Sequence, residues 1–338
     1  MGGIFMTKMQ ILELGYTDED IKMFLNTYLL SHYNNEKIYG KILDSYNGLL
    51  QMGYKKQEII EMTRYCPNIF MFDSETLRER FRDYVDIGFT RSEVKKMTVV
   101  YSKLFTFSTS FIETKVKEYM SLGYTKDEVI SMVKKIPNIL AYRLETINQK
   151  IDGLLSLGFK RNEVMKLMKQ TPSYISYDSN YIKEKFDAIT GFGFNRQEVI
   201  EMTKKFPSLF SYKLENLQGK IDDLVLLGYT KEEVMKMLRR LPSLFGLSIE
   251  NINEKKEFYE SIGLKQILIN NAMLFMQSID LSYARYMFFC EMGIEIGADN
   301  YLILFANQDR FIRKYGMDNK KVIEEYGNKI NTKKRSKK

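Results

Sequence analysis

Six basic side chains stand at a constant interval of 35 residues: Lys56, Arg91, Lys126, Arg161, Arg196 and Lys231. Gln266 occupies the seventh position of the series. Cations at a fixed pitch suit a polyanion whose own charges recur along its length. A second series is Arg64, Lys134, Lys169, Lys204 and Arg239, interrupted by Val99 and doubled in places by Lys135, Lys205 and Arg240. A third is Arg80, Lys115, Lys150, Lys185, Lys220 and Lys255, continued after a shorter step by Arg285. None of the three supplies a base code, which would need particular Arg, Asn or Gln side chains at groove edges.

Other chemistries find little support. His32 is the only histidine, with no second ligand or nucleophile near it in sequence. Cys66 and Cys290 are too few for a disulfide framework, and their apolar neighbours predict reduced, buried thiols. There is no phosphate-cradling glycine motif. Asp152, Asp187, Asp222 and Glu257 form an acidic row, but carboxylates one repeat apart lie about 10 Å from each other, too far to share a Mg²⁺. No catalytic residue, metal site or cofactor is expected.

The elements that carry the cations repeat as well. Glycines fall at Gly53, Gly88, Gly123, Gly158, Gly193, Gly228 and Gly263, with Gly15 and Gly293 extending the series at altered spacing. Prolines keep step at Pro67, Pro137, Pro172, Pro207 and Pro242, with Ser102 in the intervening slot. Between proline and glycine an apolar stripe such as Leu217, Ile221, Leu224 and Leu227 predicts one helix. After the glycine, Val234, Met237, Leu238 and Leu241 predict another. Glycine suits the left-handed C-cap of the first helix. Thr17–Asp20, Thr90–Glu93, Thr125–Glu128 and Thr230–Glu233 predict reciprocal N-terminal caps on the second. Proline stops that helix, and the apolar residues after it predict a short third turn. The expected fold is all-α: a curved, right-handed solenoid of about nine 35-residue helical repeats. Residues 1–52 read as an N-terminal capping repeat, 53–262 as regular repeats, 263–327 as divergent repeats with a final helix over 319–326, and 328–338 as a disordered basic tail.

These units resemble those of the mitochondrial transcription termination factor (mTERF) family. The pattern is Pro207-Ser208-Leu209-Phe210, Leu217 with Lys220, Leu227-Gly228-Tyr229, Glu233-Val234 and Pro242. It recurs as Pro137-Asn138-Ile139-Leu140, Ile147 with Lys150, Leu157-Gly158-Phe159, Glu163-Val164 and Pro172, and the likeness covers roughly residues 10–310. The resemblance implies curved solenoids of three-helix repeats that bind nucleic acid along a positive inner groove. It implies work in organelle transcription and its termination, in RNA processing or in ribosome assembly.

On the repeat, the first series sits in the opening turn of the second helix, where the dipole disfavours a cation. A bound phosphate would account for that, as would pairing with a glutamate of the same turn. The second series lies at the C-terminal end of that helix, where the dipole alone favours it. The third lies beside the first helix's apolar stripe, either sending ammonium groups into a groove or pairing with the acidic row Asp20, Glu58, Glu93, Glu128, Glu163, Glu198 and Glu233. Tyr54, Phe89, Tyr124, Phe159, Phe194 and Tyr229 are expected in the core rather than on bases. Net charge is +8, but the tail's Lys333, Lys334, Arg335, Lys337 and Lys338 leave the body near +3, so distribution must carry the case. The expected ligand is duplex DNA or structured RNA, bound by a monomer; a protein partner on a scaffold of helical repeats is the alternative. Met1–Met6 lacks a targeting pattern, so the cytosol is the expected location, with an organelle implied by the resemblance in a eukaryotic host.

Overall fold

A computed structural model describes residues 8–27 and 31–327. The opening Met1–Met6 and the basic tail 328–338 lie outside the described residues. Every regular element among those described is helical. The chain divides between Ser179 and Asn180 into two compact units.

Within each unit one repeat is a long helix, a glycine corner, a ten-residue helix and a short 3₁₀ turn. The repeat Ser74–Ile87, Arg91–Val100 and Ser102–Thr106 shows it in the first unit. Leu214–Leu226, Lys231–Arg240 and Pro242–Gly246 show it in the second. The anticipated stripes face inward: Leu217, Ile221 and Leu224 are buried, as are Val234, Met237 and Leu238. All residues with positive φ among those described are glycines. Gly88, at φ 128°, turns the chain where an added Cβ would meet the Ile130 Cδ1 at 3.0 Å.

The capping boxes form as expected at Thr17, Thr90, Thr125 and Thr230, and Asn195 makes a fifth. At Lys55 and Lys160 only half of the device is possible, because an ammonium cannot accept. Glu58 and Glu163 still take the cap N–H there, at 2.7 and 2.9 Å. The proline slot opens a 3₁₀ turn, as at Pro67–Met71 and Pro137–Ala141. Ser102 fills the same slot with nearly the same preceding backbone, and its hydroxyl donates to the Met62 carbonyl at 2.9 Å.

The glycine-flanking aromatics are core residues, Tyr54 and Phe89 among them at 2% and 3% exposure. Two tyrosine hydroxyls at these corners tie one repeat to the next: Tyr16 bonds Thr63 at 2.8 Å, and Tyr54 bonds Thr98 at 2.5 Å. Towards the C-terminus the pattern shortens. The second helix after Gly263 shrinks to Lys265–Asn270, and after Gly293 no helix intervenes before Tyr301–Phe305. The final segment is helical at Asn319–Val322 and continues as a π-helical turn to Gly327. Cys66 is buried as expected, whereas Cys290 is exposed, because it falls on the outer face of helix Ile279–Glu291.

Consecutive first helices approach closely where small residues allow it. A Cβ on Gly48 would lie 2.6 Å from the Ser74 Cβ and 2.9 Å from its Cα. Backbone cannot yield as a side chain can, so Gly48→Ala is expected to destabilise by about 1–3 kcal/mol despite alanine's better helix propensity. A thermal melt would check this; an unchanged or raised midpoint would contradict it.

Candidate nucleic-acid interface

The three series of cations have different fates. In the first, Lys56, Arg91, Lys126, Arg161, Arg196 and Lys231 each occupy the first position of a ten-residue helix, and all six are exposed. Arg196 reaches Asp187 at 3.4 Å and lies over the Phe186 ring. Lys56 donates to the Glu13 carbonyl at 3.2 Å, and Arg91 lies over the Phe81 ring at 5.4 Å. Among the described residues no carboxylate forms an ion pair with Lys56, Arg91, Lys126, Arg161 or Lys231. In the first unit, helices Lys56–Tyr65 and Arg91–Val100 pack together, as do Lys126–Lys135 and Arg161–Gln170.

The glutamates of the same turns do not neutralise these cations, because they face elsewhere. At Glu93, Glu128 and Glu198 one carboxylate oxygen takes the cap N–H and the other meets the second series from the following repeat, while Asp20 meets Arg64 with both oxygens. Arg64 reaches Asp20, Lys134 reaches Glu93, Lys169 reaches Glu128 and Arg239 reaches Glu198, each at 2.7 Å. Lys204 pairs with Glu201 at 2.8 Å, and Arg240 at the end of its helix is exposed. Where Val99 interrupts the series, Lys95, one turn earlier, meets Glu58 at 3.5 Å. The acidic row therefore pairs with the second series at Asp20, Glu93, Glu128 and Glu198, where pairing with the third is one of the two expectations from sequence. Within each unit the two are register partners that join the second helices of successive repeats.

This ladder shows in the carboxyl pKa values. The Lys134 ammonium, then the Thr90 N–H, hold Glu93 down at about 2. Lys169 lowers Glu128 and Arg64 lowers Asp20, against the opposing effect of burial. For Glu58 the Lys55 N–H is the main cause. A depressed folded-state pKa makes a contribution that is complete above the unfolded value, 4.5 for Glu93, and fades as pH falls towards 2. The thermal midpoint should therefore drop between pH 4.5 and 2, and Glu93→Gln should flatten part of that drop. An equally steep drop in the variant would remove Glu93 from the explanation.

The third series is spent inside the protein. The expectation that Lys150, Lys185 and Lys220 send their ammonium groups into a groove is corrected by the structure. Lys115, Lys185 and Lys255 are buried at 5–6% exposure, and Arg285 at 1%. Each caps the carbonyl end of the next 3₁₀ turn, where backbone acceptors lack partners. Lys115 donates to the Tyr142 carbonyl at 3.0 Å, Lys220 to that of Leu247 at 2.7 Å, and Lys255 to that of Phe275 at 2.6 Å. Lys185 donates to the carbonyls of Phe210, at 2.8 Å, and Tyr212. Lys150 is mostly buried and lies 4.0 Å from Asp178. Ser45 holds the same place one repeat before Arg80 and donates to the Phe72 carbonyl at 2.6 Å, so a neutral donor can do this work without a charge, whereas Arg80 itself lies 3.8 Å from Asp83.

A repeat of two helices and a 3₁₀ turn, closed by a glycine corner and a buried basic cap, matches a known sequence model. That of mTERF covers residues 8–156 and 143–274. The chain belongs to the mTERF family. Among curated proteins none matches it. The mTERF repeats here thus use two of their three basic series to build the stack and leave one outside. No cluster of three or more potential metal ligands occurs among the described residues, and no helix among them is long and apolar enough to cross a membrane.

Proposed function

We propose that this mTERF protein binds the phosphate backbone of a polynucleotide, with duplex DNA in transcription termination or its regulation as the first reading. The observation that carries it is the exposure of Lys56, Arg91, Lys126, Arg161 and Lys231 without carboxylate partners, in a protein that pairs or buries most of the other two series. Cations at the first position of a helix oppose its dipole, and a phosphate would reverse the sign of that cost. The boxes take the cap N–H in every one of these helices, and the third-position N–H as well where Thr or Asn is the cap, so the side chains carry the contact and the remaining first-turn amides assist. The second and third series are left out of the interface.

Contacts of this kind read charge spacing and not base identity. Structured RNA is the second reading: its backbone offers the same phosphates, and family membership favours it equally. A salt titration of binding to duplex DNA, to single-stranded RNA and to a structured RNA tests the proposal. Affinity falling steeply with salt for one of the three supports it and names the polymer. Salt-independent binding, or no binding to any of them at low salt, overturns it.

A further inference from the structure

The repeats are equivalent in sequence period but not in the charge of the clefts between them. A cleft of about 200 Å³ opens beside helix Ser74–Ile87 in the first unit, and its lining includes Arg78, Arg82 and Arg91. Arg78, Phe81, Arg82 and Val85 share one face of that helix, and Arg91 enters from the first position of the next. No carboxylate lines it. Arg82 and Arg91 are exposed, and the Arg78 guanidinium is held by the Gln51 side-chain amide oxygen. Phe81 lies under the Arg91 guanidinium, which orients it towards the cleft.

One repeat further on the corresponding cleft has a different character. Glu113 replaces Arg78, Lys117 replaces Arg82, Lys126 replaces Arg91, and Asp86 stands where Gln51 did. Asp83 also lines that second cleft, so acids balance its cations. Like charges four residues apart on a helix repel, and Glu79, the acid between Arg78 and Arg82 in sequence, is not among the residues that line the cleft. An oxyanion among three guanidinium groups would turn that repulsion into charge-assisted hydrogen bonds.

We propose that the cleft of Arg78, Arg82 and Arg91 is a phosphate-binding site that fixes where a polynucleotide backbone lies on the repeats. It rests on the proposed function and deepens it: the exposed row gives general attraction, and this cleft gives one preferred register. Neither Arg78 nor Arg82 belongs to the three periodic series, so period-based reading passes over them.

The test compares R78Q/R82Q/R91Q with K117Q/K126Q, which alters the neighbouring cleft, using a labelled DNA duplex and an RNA hairpin. The arginine variant is expected to lose about 10-fold or more in affinity and about two to three from the slope of log K against log salt. The lysine variant should lose markedly less. The conservative R78K/R82K/R91K should keep most of the slope while losing affinity, since lysine retains charge but not the bidentate fork. Unchanged thermal midpoints would show that each variant is folded. Equal losses in the two glutamine variants would overturn the register site while leaving backbone binding intact. Failure of the wild-type protein to bind either polymer would overturn both. Binding of inorganic pyrophosphate alone, and of neither polymer, would assign the cleft to a small anion and overturn the polynucleotide reading.

Discussion

Arg285→Ala is expected to destabilise the second unit by about 3–5 kcal/mol. The guanidinium is 1% exposed and donates to the carbonyls of Leu304 and Ala306 and to the Asn319 side chain, at 2.7–2.8 Å. It also lies 4.3 Å above the Phe311 ring. Alanine would leave three acceptors without a donor in a site that water cannot readily enter, and a void against Phe311 besides. Burial pulls the Arg285 pKa below its usual value, yet a guanidinium remains protonated at any pH at which the protein folds. Arg285→Lys should recover much of the loss, because Lys255 does the same work one repeat earlier by bonding the Phe275 carbonyl. Chemical denaturation of the two variants would check this. Alanine costing no more than lysine would mean that the cap is not what the basic residue provides.

The repeat itself was legible, because glycine, proline and capping threonine each act through local backbone geometry that a single sequence displays. The 3₁₀ turn after proline and the core placement of Tyr54 or Phe89 followed from the same signals. The sorting of the cations was not legible to the same degree. A lysine eight residues before glycine looks alike whether its ammonium leaves the stack or bends back to a carbonyl 27 residues later, as Lys220 does. Two clues were present nonetheless. Ser45 takes the place of a cation and still donates, and Arg285 persists in a repeat that has lost its counterpart of Lys231. Likewise the acidic row and the second series run in parallel through the repeats, and Lys95 makes good the gap at Val99. Charges that persist in register with an opposite row tend to be ladders, because each repeat touches only its neighbours. Arg78 and Arg82 gave no periodic signal at all, and only the shape of the cleft brings them to Arg91.

The second large effect concerns the exposed row. Each exposed cation that neutralises a phosphate releases counterions, so it contributes about −0.9 to the slope of log K against log salt on duplex DNA. Lys56, Lys126 and Arg161 all lie in the first unit, and none is tied to a carboxylate or buried. K56Q/K126Q/R161Q should therefore weaken binding to unrelated sequences about equally while leaving the fold unchanged, since all three side chains are exposed and the one hydrogen bond given up, from Lys56 to the Glu13 carbonyl, is at the surface. The most direct measurement is that slope, taken for the wild-type protein and for this variant on one DNA duplex. The account predicts a steep negative wild-type slope that is shallower by about two to three in the variant. Parallel lines of equal slope and equal affinity would contradict it, because the exposed row would then touch no phosphate.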